Sequence, residues 1–265
     1  MTLPACVSSF PSAPWAIPAS SPSAGRYWVR FARTEDELDR VLRLRYEVFN
    51  LELQEGLDDA RATGRDEDEF DLRFHHLLIE ERESGSVVGT YRMQTGEMAA
   101  ESGYYAAGLF EVDALPEAVR GQAVEIGRAC VARPHRNGRV LELLWRGLAG
   151  YLAWNRKTVL FGCCSLTSQD PALGQCVQQR LEELGAVHPT LRVRPRPEAA
   201  CTTAHQPPVT AHPGPLIPTL FQAYLALGAK ILGPPALDRT FKTIDWLVLL
   251  DTRELDRLTH QAYFR

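Results

Sequence analysis

The order of hydrophobic and polar residues predicts an alternation of strands and helices between residues 27 and 251. Short apolar or alternating runs predict strands, and apolar residues spaced three and four apart predict helices. The predicted strands are 27–32, 75–81, 86–95, 123–132, 158–164 and 243–251. The predicted helices are 34–51, 138–155 and 171–184. This order indicates an α/β fold with a mixed sheet.

Two proline-rich stretches interrupt this pattern. Residues 1–25 contain five prolines and no basic residue ahead of an apolar block, so we expect a disordered leader rather than a signal peptide. Residues 195–218 are followed by about 47 residues, which is near the lower limit for an independent core. We therefore predict one domain over residues 26–265, with 195–218 as a long excursion from it.

Composition and charge exclude several classes of protein. A formal net charge of -4 gives no basic excess for binding nucleic acid. No apolar run approaches the roughly 20 residues that a membrane helix needs, so we expect a cytoplasmic protein. The six cysteines show no CxxC spacing, which gives no indication of a metal site. The phosphate-loop patterns GxGxxG and GxxxxGK[ST] are absent from the sequence.

The first predicted helix carries an arginine on its apolar stripe. Thr34 and Glu37 have the spacing of a capping box, and the stripe that starts at Leu38 reaches Arg45 after seven residues. A buried guanidinium needs a partner, because an unpaired buried charge costs several kcal/mol. The alternative is that Arg45 lies at the edge of the stripe with its charged end in water.

An acidic run at residues 65–71 supplies candidate partners for Arg45. Asp68 and Asp71 lie three positions apart and would share one face of a helical turn, from which they could meet Arg45. Alternatively, the run is a solvated turn. Arg92 is a second arginine in an otherwise apolar strand.

The strand 123–132 combines an acid and a base in an apolar context. Strict alternation places Arg128 on one face and Glu125 on the other. Gly127 lies between them and would permit a β-bulge that turns both side chains into one cleft. An exposed edge strand with a surface charge pair is the alternative.

A basic turn with a glycine follows this strand and leads into the helix 138–155. Free amides at the start of a helix form a ready anion site. The strand, turn and helix together indicate a phosphate group held beside a general base.

These segments resemble the GNAT acyltransferases, and more closely the acyl-homoserine-lactone synthases and the related, often hemolysin-labelled, ornithine-acyl-[acyl carrier protein] N-acyltransferases. The first motifs are 44–49 (LRYEVF), 68–71 (DEFD), 89–92 (GTYR) and 125–128 (EIGR). The second group matches better, because 143–149 (LLWRGLA), 160–163 (LFGC), 170–171 (DP) and 241–245 (FKTID) resemble its later motifs. The likeness covers residues 27–250 and implies a mostly antiparallel central sheet, flanked by helices, with a bulged fourth strand.

The resemblance also implies site residues. Glu125 would be the general base, with Arg128 beside it, and the cluster beside the amine site would comprise Arg45, Phe49, Asp68, Asp71 and Arg92. The acyl donor would be bound by Ala129, Cys130, Val131, Arg133, Arg136, Asn137, Gly138 and Arg139. No cofactor is implied, since an acyl-phosphopantetheine thioester serves as co-substrate, and no metal ligand is expected.

The implied reaction is N-acylation of an amino acid by a fatty acyl group. Ornithine is the expected acceptor, and a 3-hydroxyacyl group is one option for the group that is transferred. The basic turn favours an acidic acyl carrier protein over CoA as the donor. The turn also lacks the Gly-x-Gly pattern of acetyl-CoA users, which weakens the case for CoA. The lyso-ornithine lipid product allows peripheral contact with the inner face of the membrane. Alternatives are an acyl-homoserine-lactone synthase, an acetyl-CoA-dependent GNAT and a non-enzymatic hemolysin-like protein. A nucleophilic Cys130 is disfavoured, because no histidine stands at a motif position to activate it.

Overall fold

A nine-stranded sheet forms the centre of the molecule, for which the computed structural model describes residues 10–19, 23–202 and 217–264. The strands are β1 (Ser23–Ala24), β2 (Tyr27–Phe31), β3 (His75–Glu81), β4 (Val87–Thr95), β5 (Ala123–Val131), β6 (Val159–Leu166), β7 (Lys230–Ile231), β8 (Ala236–Asp238) and β9 (Thr243–Asp251). Their order is β1-β2-β3-β4-β5-β6-β9-β7, and β8 also pairs with β9. Among these strands, β5 and β6 pair in parallel and the other pairings are antiparallel.

Eight α-helices surround the sheet in the described residues. They are α1 (Glu35–Arg45), α2 (Ala60–Thr63), α3 (Gly96–Ser102), α4 (Glu117–Arg120), α5 (Arg139–Trp154), α6 (Pro171–Glu183), α7 (Thr219–Ala226) and α8 (Arg257–Tyr263). α5 contacts β2, β3, β4 and β5, and its leucines pack into the larger hydrophobic core. No helix in these stretches is both long enough and apolar enough to cross a membrane.

The predicted α/β fold with a mixed, mostly antiparallel sheet is confirmed. The fourth predicted strand, 123–132, carries the predicted bulge and is numbered β5 here, because the two-residue β1 precedes the others. The predicted helix 34–51 divides into α1 and a π-helix, Tyr46–Glu52. Thr34 caps α1, accepting a hydrogen bond from the Glu37 amide at 3.2 Å. The short elements, such as α3 and β8, hold too few residues to show a period in the sequence.

Residues 10–19 of the predicted leader contact the domain. Ala16 and Ile17 are buried. The carbonyl of Trp15 accepts a hydrogen bond from the Trp154 indole at 2.9 Å, and the carbonyl of Ser12 contacts His75 Nε2 at 2.6 Å. These apolar residues pack on the domain although prolines surround them. Residues 1–9 and 20–22 of the predicted leader lie outside the described residues.

The excursion predicted at 195–218 begins as a packed segment. Pro195 bridges to Phe110 and Ala200 bridges to Ala236, so this part of the chain follows the surface of the domain. Ala199 and Cys201 are buried there. The remainder of the excursion, residues 203–216, lies outside the described residues, and the chain continues into α7.

Candidate active site

A cavity of about 700 Å³ opens where β5 and β6 separate. Pairing of these two parallel strands covers three positions and ends with Glu125 opposite Phe161. Beyond this last pair, the cavity is lined by residues of both strands, from Ile126 to Val131 on β5 and from Gly162 to Ser165 on β6. Backbone groups of β5 that point toward β6 beyond Glu125 therefore lack a partner in the parallel ladder.

The cavity reaches both faces of the sheet, because side chains alternate along β6 and β9. On one face, Leu160, Val248 and Leu250 belong to the larger core with α5 and α7. On the other face, Phe161 and Cys163 pack with the smaller core, and Glu125 lies beside Phe161. One side of the cavity is thus largely apolar and the other carries charged groups.

A β-bulge turns Arg128 toward the charged side. Thr90 pairs with Cys130 and Arg92 pairs with Gly127, so β5 contains one more residue than β4 between these positions. Arg128 has a φ of 49°, in the left-handed region that few residues other than glycine adopt. The predicted bulge is present, but the unusual backbone angle lies at Arg128 instead of Gly127. Both Glu125 and Arg128 line the cavity.

Glu125 is a buried carboxylate held by three neutral donors. It accepts hydrogen bonds from Gln94 Nε2 at 2.8 Å, from the Tyr105 amide at 3.0 Å and from the Ala106 amide at 2.7 Å. Burial raises the pKa of Glu125, and the hydrogen bonds from Ala106 and Gln94 partly offset that increase. A carboxylate has about four acceptor positions, so one position is unused by the described residues.

Three arginines and three aspartates form a charged cluster beside Glu125: Arg45, Arg92, Arg128, Asp66, Asp68 and Asp71. Arg45 is completely buried and donates to Asp66 at 2.5 Å and to Asp71 at 2.6 Å. Arg92 donates to Asp68 at 2.7 Å and to Asp71 at 2.9 Å. Arg128 donates to Asp66 at 3.2 Å and to Asp68 at 3.1 Å. The three positive and three negative charges balance each other.

The cluster corrects two of the sequence interpretations. Arg45 does not keep its charged end in water, and its partners are Asp66 and Asp71 rather than Asp68. Helical spacing favoured Asp68 and Asp71, but the segment is an extended stretch followed by a turn, and the Asp66 amide donates to the Leu42 carbonyl on α1 at 3.1 Å. Asp66 belongs to the same acidic run, and no spacing rule separates it from its neighbours.

The predicted site residues divide into those that line the cavity and those that support it. Phe49, Arg92, Glu125, Arg128, Ala129, Cys130, Val131, Arg136 and Gly138 line it. Arg45, Asp68, Asp71, Arg133, Asn137 and Arg139 are not part of its described wall. The Arg128 guanidinium lies over the Phe241 ring, 4.0 Å from the ring centre, and its Nη1 donates to the Tyr105 hydroxyl at 3.1 Å.

The basic turn is partly neutralised by neighbouring acids. Arg136 forms a salt bridge with Glu52, and Arg139 forms one with Glu142. Arg133 is exposed. Gly138 is the N-cap residue of α5 with a φ of 82°, and as a glycine it has no side chain to cap that helix. The Asn137 side chain accepts a hydrogen bond from the Arg139 amide at 3.1 Å.

The cysteines in the cavity wall are poor nucleophiles. Burial raises the pKa of Cys130, Cys163 and Cys164, so their thiols stay protonated. This agrees with the interpretation of Cys130 as a small buried apolar residue.

Two acidic residues of the wall were not among the predicted site residues. Glu55 accepts a hydrogen bond from the Thr167 hydroxyl at 2.6 Å, and burial raises the pKa of this glutamate. Asp245 lies on β9 opposite Ser165 and is buried. A carboxylate within the apolar run of β9 was a sequence signal for Asp245. No pattern in the sequence marks Glu55, which follows the π-helix.

Comparisons with known proteins find relatives of similar sequence. The chain is 32% identical over 253 residues to the L-ornithine N(alpha)-acyltransferase of Rhodobacter capsulatus, and the match covers 90% of this chain and 95% of that protein. It is 31% identical over 238 residues to the L-ornithine N(alpha)-acyltransferase of Rhizobium meliloti, with 83% of this chain and 78% of that protein covered.

A domain model and a solved structure match as well. Residues 44–146 match the acetyltransferase (GNAT) domain. The CoA-dependent acyl-homoserine lactone synthase BjaI aligns with a TM-score of 0.48 and 17% identity, covering 89% of this chain and 87% of that chain. From the identity to curated relatives over most of both chains, the protein belongs to the L-ornithine N(alpha)-acyltransferase family and is an acyltransferase with a GNAT-like fold.

Proposed function

We propose that this enzyme transfers a fatty acyl group from the thioester of acyl carrier protein to the α-amino group of ornithine, giving a lyso-ornithine lipid. The observation that carries the proposal is the cavity between β5 and β6, which places a buried carboxylate on one face of the sheet and an apolar wall on the other. The names of the curated relatives support ornithine as the acceptor.

Glu125 is the proposed general base. An ammonium group has no lone pair, so the acceptor must lose a proton before its nitrogen attacks the thioester carbon. The free acceptor position of Glu125 receives that proton directly or through a water, and the raised pKa makes the carboxylate a stronger base. The new C–N bond replaces the C–S bond, and the leaving thiolate takes up the second proton that the nitrogen loses as the amide forms.

The apolar face is the proposed site of the acyl chain. Its wall is formed by Tyr91, Leu141, Leu144, Leu160, Leu220, Phe221, Tyr224, Val248 and Leu250. Each buried methylene of a fatty acyl chain contributes about 0.8 kcal/mol, so a wall of this kind favours long chains over acetyl groups. This distinguishes the proposed donor from acetyl-CoA.

The bulged part of β5 is the proposed site of the thioester carbonyl. The segment 129–131 lies beyond the end of the parallel ladder, so those of its amides that point toward β6 are candidate hydrogen-bond donors for the oxyanion. The turn that contains Gly138 follows directly and would receive the phosphate of the phosphopantetheine arm at the start of α5, where the N-cap residue is a glycine. Arg133, Arg136, Asn137 and Arg139 would lie around that phosphate.

The supporting role of the charged cluster follows from its geometry. Arg45, Asp68 and Asp71 are proposed to fix Arg92 and Arg128, whose guanidinium groups line the cavity with Phe49. Arg128 uses three of its five N–H groups within the protein, which leaves donors for the carboxylate of the acceptor.

The test is acyl transfer by the purified enzyme with acyl-carrier-protein thioester and ornithine, followed by mass spectrometry of the product. Expression in a host that lacks ornithine lipids should produce the corresponding lyso-lipid in a lipid extract. We expect Glu125→Gln to lower turnover by roughly 100-fold or more, the usual scale for a positioned base. The matched control is Glu117→Gln, an exposed residue of α4 outside the described cavity wall, which should leave turnover unchanged.

The same assay separates the alternative functions. Release of methylthioadenosine from S-adenosylmethionine would identify an acyl-homoserine-lactone synthase. Near wild-type turnover of a correctly folded Glu125→Gln variant would contradict the assignment of the base.

A further inference from the structure

Two carboxylates on the charged side of the cavity have no cationic partner. Glu55 and Asp245 both line the cavity, and neither takes part in an ion pair among the described residues. The nearby charged cluster supplies no surplus cation, because its three arginines are matched by three aspartates. Buried carboxylates without a partner are costly, so this arrangement indicates a positively charged ligand.

Asp245 is the less satisfied of these two carboxylates. Only 3% of its surface is exposed, and its Oδ1 has no hydrogen-bond partner among the described residues. Burial raises the pKa of Asp245 to about 7, and the negative charge of Asp238 adds to the increase. The hydroxyls of Ser165 and Thr243 and the charge of Arg128 only partly offset it.

The neighbouring Asp238 shows how a satisfied carboxylate looks in the same region. Its Oδ1 accepts from the amides of Thr240 and Phe241 at 2.9 and 2.8 Å, and its Oδ2 accepts from the Tyr105 hydroxyl at 3.4 Å. Asp238 is not part of the described cavity wall, whereas Asp245 is. The unpaired oxygen therefore belongs to the carboxylate whose residue lines the cavity.

We propose that Asp245 binds the side-chain ammonium group of the acyl acceptor, so that the enzyme selects amino acids with a second amine. This inference rests on the proposed function, and it deepens it by assigning acceptor specificity to a residue of β9. An ammonium group held by Asp245 keeps its proton and has no lone pair for attack. The α-amine, which gives its proton to Glu125, is then the group that reacts.

The experiment compares ornithine with norvaline, which has the same carbon chain without the side-chain amine. For the wild type we expect a much higher kcat/KM with ornithine, because norvaline leaves a buried carboxylate unpaired. In Asp245→Asn the ornithine-to-norvaline ratio of kcat/KM should fall by about tenfold or more, mainly through a higher KM for ornithine. Asp251→Asn, at the other end of β9 and outside the described cavity wall, is the matched control, and its ratio should stay within about twofold of the wild type.

A second variant keeps the charge and changes its reach. Asp245→Glu moves the carboxylate outward by about one methylene, so we expect preference to shift from ornithine toward 2,4-diaminobutyrate, which is one methylene shorter. This variant decides the question if Asp245→Asn does not fold, as judged by a thermal melt. An unchanged preference in a folded Asp245→Glu enzyme would overturn the proposal.

The remaining outcomes are equally distinct. Equal losses with ornithine and norvaline in Asp245→Asn would overturn the proposal and indicate a structural or proton-transfer role for Asp245. A wild-type enzyme that uses both acceptors equally well would overturn it while the proposed acyl transfer stands. A wild-type enzyme that acylates neither acceptor would overturn the proposed function itself.

Discussion

Arg45 illustrates how one buried charge depends on its partners. Its guanidinium is enclosed by Asp66 and Asp71, which hold the pKa of the arginine above its usual value. Arg45→Ala would leave both carboxylates buried and short of a partner. We expect a loss of about 3–5 kcal/mol in the free energy of unfolding, together with loss of activity. Denaturant titration of the purified variant measures this loss.

Arg43→Ala is the matched control for this prediction. Arg43 lies two residues earlier on α1, and its side chain is 54% exposed and paired with Asp39 at 2.8 Å. Exposed pairs contribute little, so this variant should unfold almost as the wild type does. A denaturation curve of Arg45→Ala that overlays the wild-type curve would disprove the buried cluster.

The histidines of β3 predict how stability depends on pH. Burial lowers the pKa of His75 and of His76 to about 4, from an ordinary value of 6.5. Between these values the unfolded chain binds protons that the folded chain does not, so stability is full above pH 6.5 and falls as the pH drops toward 4. The loss amounts to at most about 3 kcal/mol per histidine. Urea denaturation at pH 7.5 and pH 4.5 measures it.

His76→Gln should remove part of this pH dependence. The His76 Nε2–H donates to the Asp71 carbonyl at 2.9 Å, a bond that a glutamine amide can replace without titrating. His260→Gln on the exposed face of α8 is the control and should keep the full dependence. Identical pH profiles for the wild type and His76→Gln would contradict the assignment.

Single residues were predictable from the sequence where they broke a strong local pattern. Arg45 interrupts an apolar stripe and Glu125 lies in an apolar strand, so both stood out. Asp66 was hidden within an acidic run because its role depends on a turn that brings it to α1. Glu55 was not predictable, because its burial results from contact with Thr167, which lies 112 positions later.

At the scale of elements, the close approach of β5 and β6 at the edge of the cavity depends on a glycine. A Cβ atom at Gly162 would lie 2.1 Å from the Ile126 carbonyl oxygen, far inside contact distance. Gly162→Ala should therefore force the strands apart where the cavity begins, at a cost of about 1–3 kcal/mol. We expect a lower melting temperature and a higher KM for the acyl donor.

Gly150→Ala is the control for this substitution. Gly150 lies within α5, and a Cβ atom there would have no heavy atom within 4 Å outside its own helix backbone and chain neighbours. Alanine favours a helix over glycine by up to about 1 kcal/mol, so this variant should be slightly more stable than the wild type. A Gly162→Ala enzyme with an unchanged melting temperature would show that the strands can yield at no cost.

Elements were predictable where the hydrophobic pattern continued over many residues. β3 and β9 begin and end at the predicted residues, and α5 differs from its prediction by one residue at each end. The change from α1 to a π-helix was not predictable, because the burial of Val48, Phe49 and Asn50 comes from tertiary packing. The separation of β5 and β6 likewise has no counterpart in the hydrophobic pattern of either strand.

At the scale of the molecule, charge distribution bears on the choice of donor. The chain has a net charge of -4, yet Arg133, Arg136 and Arg139 are concentrated in the turn beside the cavity. The salt bridges of Arg136 with Glu52 and of Arg139 with Glu142 reduce the local positive charge. Arg133 is exposed and is the turn residue best placed to meet an acidic carrier protein.

Docking of acyl carrier protein through this turn should depend on its arginines and on salt. Replacing Arg133, Arg136 and Arg139 with glutamine should raise the KM for the acyl-carrier-protein thioester several-fold and lower kcat less, because rim charges act mainly on association. The wild-type KM should itself rise with ionic strength, since screening limits the reach of the charges to about 8 Å near physiological salt.

A control enzyme with Arg180, Arg192 and Arg253 replaced by glutamine, all exposed and outside the described cavity wall, should keep the wild-type KM. An acyl-pantetheine donor, which makes few contacts beyond the turn, should be affected less by the first triple substitution. If acyl-CoA is the better donor for the wild type and the substitutions impair both donors equally, the carrier-protein proposal is wrong.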